Sequence, residues 1–329
     1  MEDYVQNTPI FDQNFAPLRA LLDGDISELV INRPKEVWTE GPTGWLKHDI
    51  PTLTMERLMF IATNIASFKG AGIDKDSPFL SAALPTGERS EIVIPPALVK
   101  GTFSLTVRKP SVKQSTIDKL DEQGVFSNAA LANKDILPFE KELLLFLKNG
   151  QIKEFFKLAI LNHRNIVLCG KTGSGKTHIA KAFADYIPLS ERIITIEDVH
   201  EFFLAHQNRV NMIFTRDGKV HVKDCLASCL RMKPDRILLS EMRGDESWEF
   251  LKSIGSAHPG AITTMHASSS SEAFDQLISL IKDSQVGAHL DLSYLQRRLY
   301  ATVDIVVACA NRKITEIYYD PEIKRSNMA

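Results

Sequence analysis

The residues best suited to chemistry lie in one run, Gly170-Lys171-Thr172-Gly173-Ser174-Gly175-Lys176-Thr177. It fits G-x-x-x-x-G-K-[ST], follows an apolar run at 166–169 and opens a helical segment at 176–186. Glycines let the backbone curl so that its N–H groups converge on phosphate oxygens. The helix N-terminus adds partial positive charge. Lys176 can reach the β- and γ-phosphates, and the Thr177 hydroxyl can bind Mg²⁺. The ligand this predicts is ATP with Mg²⁺.

Three more apolar runs end in a titratable side chain. Ile193-Ile194-Thr195-Ile196 leads into Glu197-Asp198, Ile237-Leu238-Leu239 into Ser240-Glu241, and Thr263-Thr264-Met265 into His266. Phosphoryl transfer to water needs a carboxylate near the metal and the attacking water. Glu241 fits that Walker-B-like role. Ser240 stands where a metal-binding Asp is usual, so Glu241 should reach Mg²⁺ through water. Glu197 is a second candidate, to polarise the water or to act through Mg²⁺. Either acid can orient the water. The plainer role for this acidic pair is to cap the next turn, which suits Asp198 better than Glu197. A neutral His266 can hydrogen-bond the γ-phosphate or the water, and His258 is a weaker candidate nearby.

For these segments to meet, their strands must end at one edge of a sheet. From residue 138 onward, apolar runs at 166–169, 193–196, 210–214, 237–239 and 261–265 alternate with helical segments at 176–186, 222–232, 245–254 and 272–282, after two helices at 139–148 and 152–161. That pattern predicts a mostly parallel α/β sheet covered on both faces, with ligands at the C-terminal strand ends. Runs at 305–308 and 314–318, joined by Asn311-Arg312, predict a closing hairpin. The first 108 residues read as a smaller α+β domain. Its helices fall at 15–22 and 54–69, the second capped by Thr54. Its strands fall at 28–32, 36–39, 91–94 and 103–107, with a turn at 41–44 and Pro95-Pro96 ending a strand. Residues 109–127 are polar, carry Pro110 and Gly124, and read as a linker between domains 1–108 and 128–329.

A length of 329 residues agrees with two domains. The net charge of −2 argues against a chain that coats nucleic acid through a strongly basic surface. Cys169, Cys225, Cys229 and Cys309 are too few for a disulfide framework. Cys225 and Cys229 can share a helix face, but no second ligand pair accompanies them, so small buried residues are expected. The acidic, polar start lacks the features of a signal peptide, and no apolar run approaches the roughly 20 residues that span a bilayer. A cytoplasmic protein that docks on a membrane through a partner is expected.

Taken together, the phosphate loop, the box ending in Glu197-Asp198, the segment Asp235-Arg236-Ile237-Leu238-Leu239-Ser240-Glu241-Met242-Arg243-Gly244 and the box ending in His266 resemble the secretion-motor ATPases of type II and type IV secretion, conjugation and pilus assembly. The resemblance covers about residues 138–310 and implies a RecA-like fold there. Ile26-Ser27-Glu28-Leu29-Val30-Ile31-Asn32-Arg33-Pro34, Val37-Trp38-Thr39-Glu40, Leu84-Pro85-Thr86-Gly87-Glu88-Arg89 and Ser104-Leu105-Thr106-Val107-Arg108-Lys109-Pro110-Ser111 resemble the N-terminal domain of the type IV class, which includes the VirB-eleven-like proteins of bacterial conjugation. The resemblance implies that Arg89 and Arg108 approach the nucleotide phosphates. It also implies hexameric rings, an ATP site between the two domains, and peripheral docking at the cytoplasmic face of the inner membrane. The partners it implies are inner-membrane components of the machine, its other ATPases, and a secreted substrate or nucleoprotein. The four-cysteine zinc module of the type II members and the C-terminal Ala-Ile-Arg-Asn-Leu-Ile-like motif of the retraction members are not present in the sequence.

The leading expectation is an ATPase whose N-terminal domain closes on its RecA-like domain, with residues 109–127 as hinge. A type II secretion or pilus motor, a nucleic-acid translocase of RecA type, a small-molecule kinase and a non-hydrolysing scaffold are the alternatives. Steady-state turnover of Lys176→Ala is the first test: activity should vanish, and a wild-type rate would refute the ATPase assignment.

Overall fold

The computed structural model describes residues 8–110, 115–130, 134–215, 218–244, 246–256 and 258–328. Residues 1–7 of the polar start, Ser111, Asp245 and Ala257 therefore lie outside the described residues. In the N-terminal part, α1 (Thr8–Leu22) precedes β1 (Glu28–Ile31), β2 (Glu36–Gly41) and β3 (Gly44–Asp49). Then α2 (Met55–Lys69) precedes β4 (Phe79–Ala83), β5 (Arg89–Val93) and β6 (Ser104–Arg108). The six strands form an antiparallel sheet in the order β3-β2-β1-β6-β5-β4. The helices bury Phe11, Phe15, Leu58 and Ile61 against Leu29, Ile31, Leu105 and Val107 of the sheet. Thr54 caps α2 as expected, its hydroxyl accepting from the Arg57 N–H at 3.3 Å.

The C-terminal part opens with α3 (Ile117–Glu122), α4 (Pro138–Lys148) and α5 (Ile152–Leu161). It continues with β7 (Ile166–Gly170), α6 (Lys176–Asp185), β8 (Ile193–Glu197), β9 (Arg209–Ile213), α7 (Val222–Cys229) and β10 (Arg236–Leu239). After α8 (Glu246–Ser256) and β11 (Ile262–Met265) come α9 (Ser270–Lys282), α10 (Leu292–Thr302), β12 (Ile305–Ala310), β13 (Lys313–Tyr319) and α11 (Pro321–Asn327). The strand order is β13-β12-β7-β11-β10-β8-β9, and every pair is parallel except β12 with β13. Alternate residues of β7 feed opposite faces. Ile166 and Leu168 pack with Phe155, Phe156, Ala180 and Ala184 of α5 and α6. Val167 and Cys169 face the layer built from Leu226, Phe250, Leu277 and Leu299 of α7 to α10. This is the expected fold class: a mostly parallel α/β domain with a smaller α+β domain before it.

Several elements differ from the sequence reading. β3 and β4 appear where no strand was expected, because β3 is an exposed edge strand with no apolar run to announce it. α10 and α11 are also new. α7 stops at Cys229, three residues before the expected end at Met232. The segment 109–127 contains α3, a short helix with no buried residue. All four cysteines are free and buried. Among the described residues, no helix is long and apolar enough to cross a membrane.

The two sheets meet along the β9 edge. After β5 the chain bridges Leu98 to Met212, the Val99 N–H donates to the Asn211 carbonyl at 3.2 Å, and the Ile213 N–H donates to the Ala97 carbonyl at 2.9 Å. An edge strand's open hydrogen-bonding groups are thereby paired. Val93, Ala97 and Leu98 join the apolar layer under α7. Arg192, fully buried just before β8, donates to Asn32 Oδ1 at 2.6 Å, to Asn208 Oδ1 at 2.5 Å and to the Met232 carbonyl at 3.0 Å. Burial draws its guanidinium down to about 10, so it stays charged at neutral pH. The Ser228 hydroxyl donates to Glu91 Oε1 at 2.6 Å across the same boundary.

Glu28 lies nearby in β1, buried, with Oε2 lacking a hydrogen-bond partner among the described residues. Burial pushes its carboxyl up to about 7, against the pull of Arg108, Lys233 and Arg192. A raised carboxyl pKa favours the folded chain below the ordinary value of 4.5 and opposes it as pH rises through about 7. Glu28→Gln should therefore be more stable than wild type at pH 8 but not at pH 4. Urea midpoints at the two pH values check this, and an equal difference at both would contradict it.

Candidate active site

The phosphate loop joins β7 to α6. Gly175 stands before the first residue of α6 with φ 97°, a conformation open to glycine, and a Cβ there would press on the Arg312 backbone of the neighbouring hairpin. A Cβ at Gly170, where φ is 155°, would collide with the Cys309 carbonyl and with Ser174 Oγ. The Arg312 N–H, from the β12–β13 turn, donates to the Ser174 carbonyl at 2.9 Å. Lys176 is buried in the loop, its Nζ donating to the carbonyls of Gly170 at 2.7 Å and Lys171 at 3.1 Å. Burial lowers its pKa, and the nearby Glu241 carboxylate opposes that shift. Lys171, Thr172 and Gly173 are exposed at the mouth, and Thr177 is half-buried in the first turn of α6.

Glu241 follows β10 and reaches the same crevice. Its Oε1 lies 2.9 Å from His266 Nε2, and its Oε2 is bound by the Arg243 guanidinium. Arg243 also reaches Asp198 at 3.6 Å. His266 follows β11 and is half-exposed. A cavity of about 530 Å³ runs from Ser240 and Glu241 past Asp198 to His221 and Asp224. Ser240 Oγ and Ser174 Oγ are buried without hydrogen-bond partners among the described residues. The oxygens of Thr177, Ser240 and Glu241 fit Mg²⁺, which prefers a few oxygen ligands alongside substrate phosphates and water. Among the described residues, no three His, Cys, Asp or Glu side chains gather into a metal cage of their own.

Arg89 and Arg108 sit elsewhere within the chain. They face each other in register on β5 and β6, both exposed, and Arg108 lies 3.7 Å from Glu28. Glu28 also feels Arg192 and Lys233, which precede β8 and β10. This is the N-terminal end of the parallel strands, whereas the phosphate loop follows the C-terminal end of β7. Among the described residues, no hydrogen bond or ion pair joins either arginine to the loop. His258 also lies at the N-terminal end, its Nδ1 3.1 Å from the Pro234 carbonyl.

Residues 141–316 match the family described as "Type II/IV secretion system protein". The "Type IV secretion system protein VirB11" of Bartonella quintana is 40% identical, over 94% of this chain and 93% of its own length. That of Brucella suis is 41% identical, over 94% and 90%. The crystal structure of the VirB11 ATPase from the Brucella suis type IV secretion system, in complex with sulphate, superimposes with a TM-score of 0.94 over 99% of both chains at 39% identity. The chain belongs to the type II/IV secretion system protein family.

Within this family member the two acids at strand ends have different surroundings. Glu197 is fully buried, and its carboxylate already holds four partners. Thr195 Oγ1 donates at 2.6 Å, the Glu201 and Phe202 N–H groups donate at 2.6 and 2.8 Å, and His200 Nδ1 lies at 3.3 Å. The turn after β8 is thus capped by Glu197, while the Asp198 carboxylate accepts from the neighbouring Val199 N–H at 3.1 Å. Sequence reasoning also passed over Arg243, although it stands two residues after Glu241, where a cation can steer that carboxylate.

Isosteric amides separate the two roles. Glu241→Gln should lower turnover by roughly 10²-fold or more while changing stability little. Glu197→Gln should destabilise by about 1–3 kcal/mol, because one carboxylate acceptor becomes a donor facing N–H groups. Rate constants and urea midpoints of both variants check this, and a purely catalytic defect in Glu197→Gln would reverse the assignment.

Proposed function

We propose that the chain is an ATPase that powers type IV secretion or conjugative transfer and pilus assembly, working as a hexameric ring. The observation that carries this is the convergence of Lys176, Glu241 and His266 on one crevice, in a chain 40% identical to a type IV secretion protein along nearly its whole length. The loop amides and Lys176 hold the triphosphate. Glu241 orients the attacking water, and its bonds to His266 and Arg243 fix the direction of its carboxylate. His266, half-exposed beside that carboxylate, is placed to sense the γ-phosphate. Thr177 and Glu241 would hold Mg²⁺, which would supply charge neutralisation at the phosphates.

In this reading the chain divides into an N-terminal domain 1–108, a linker 109–127 and a RecA-like domain 128–329. Arg89 and Arg108 act on the phosphates of a neighbouring subunit, because within their own chain they lie near the N-terminal end of the parallel strands, opposite the loop. ATP then draws an N-terminal domain onto a RecA-like domain across the subunit boundary, and hydrolysis releases it. The β9 junction within each subunit stays closed and carries the movement as a rigid body. The ring docks peripherally at the cytoplasmic face of the inner membrane, on membrane components and other ATPases of the machine, and acts on a secreted substrate or nucleoprotein.

Arg108→Ala should lower turnover by roughly 10²-fold or more, as loss of an arginine finger does, while nucleotide still binds. Single-turnover rates and a nucleotide-binding titration check this. A wild-type rate would remove the arginine from the site.

A further inference from the structure

The β12–β13 turn carries a side chain with no part in the proposed hydrolysis. β12 pairs with β7 in parallel, with Ala308 opposite Cys169 and Cys309 opposite Gly170, so its turn overhangs the phosphate loop. Asn311 and Arg312 form that turn with φ 50° and 61°, the left-handed pair of a tight hairpin, a position where glycine is favoured at the second residue. Arg312 is instead pressed onto the loop. Its N–H donates to the Ser174 carbonyl, and a Cβ on Gly175 would come within 3.0 Å of its Cα and 3.4 Å of its Cβ. Its side chain is exposed, with no hydrogen bond or ion pair among the described residues.

The strand order fixes which end of the nucleotide it faces. β11 and β10, which bring His266 and Glu241, lie on one side of β7, and β12 lies on the other. The γ-phosphate must point towards Glu241 for hydrolysis, so the nucleoside leaves the loop on the β12 side. We propose that Arg312 holds the nucleoside end of the nucleotide, its guanidinium against the α-phosphate and the face of the base. A planar cation suits both contacts, one by charge-assisted hydrogen bonding and the other by stacking. This rests on the proposed ATP site.

Arg312→Gly removes the side chain and gives the Asn-Gly pair that such turns prefer, so the hairpin is kept. The ligand-free variant should unfold at or above the wild-type temperature. Equilibrium titrations with ADP, ATP and inorganic tripolyphosphate then read the contact. Affinity for ADP and ATP should fall together, by roughly tenfold, the value of one charge-assisted contact. Tripolyphosphate affinity should fall less, because it keeps a phosphate at the α position but has no base to stack on the guanidinium, and turnover at saturating ATP should stay within about twofold. Unchanged ADP affinity would overturn the proposal. So would lost turnover with ADP affinity intact, which would place the guanidinium at the γ-phosphate. If the wild-type protein bound no ADP, the nucleotide-site reading itself would fail first.

Discussion

Parallel register is the constraint on which the site depends. Met265 pairs with Cys169, Leu239 with Thr263, and Leu239 with Ile196. The residues that follow these positions are therefore level with one another at one edge. Gly170 begins the phosphate loop there, Glu241 leaves β10, His266 leaves β11 and Glu197 ends β8. Both faces of the sheet are packed, so the register is held by apolar contacts on two sides. The chemistry is then set by which side chain each strand end releases into the crevice. Glu197 is held by its own turn, whereas Glu241 meets His266 and Arg243 in the crevice.

The same sheet is bound at its other end by the N-terminal part of the chain. The bridge at Leu98 and Met212, the buried Arg192 with its bonds to Asn32 and Asn208, and the Ser228–Glu91 bond tie the two sheets together. Removing Arg192 would leave the buried Asn32 Oδ1 without its donor, which is costly. A hinge in residues 109–127 that swung the N-terminal domain onto its own phosphate loop would have to break this junction. A movement between subunits need not. This is the physical reason for proposing that Arg108 acts on the loop of a different chain.

Much of this was legible in the sequence, and the failures have physical causes. The phosphate loop and the strands around it announced themselves because β7, β8, β10 and β11 are buried throughout and read as largely apolar runs. β3 did not, because an exposed edge strand has no such run. Glu197 and Glu241 looked alike, since both end an apolar strand. Only the path of residues 198–202 shows that Glu197 is spent on the turn. The position of Arg89 and Arg108 depends on contacts such as Asn32 with Asn208, 176 residues apart, which no local pattern records. Arg312 was read as a turn residue, and its nearness to Ser174 and Gly175 follows from the pairing of β12 with β7.

The central claim is that each ATP site is completed by a neighbouring subunit, and subunit mixing tests it most directly. Lys176→Ala and Arg108→Ala subunits, each defective alone, are unfolded or dissociated together, reassembled in equal amounts and assayed for ATP turnover. In a head-to-tail ring a Lys176→Ala subunit can lend its intact Arg108 to the intact loop of an Arg108→Ala neighbour, so roughly a quarter of the sites should be whole and turnover should rise well above either parent. Turnover no higher than the mean of the two parents would contradict the account and place both residues of each site in one chain.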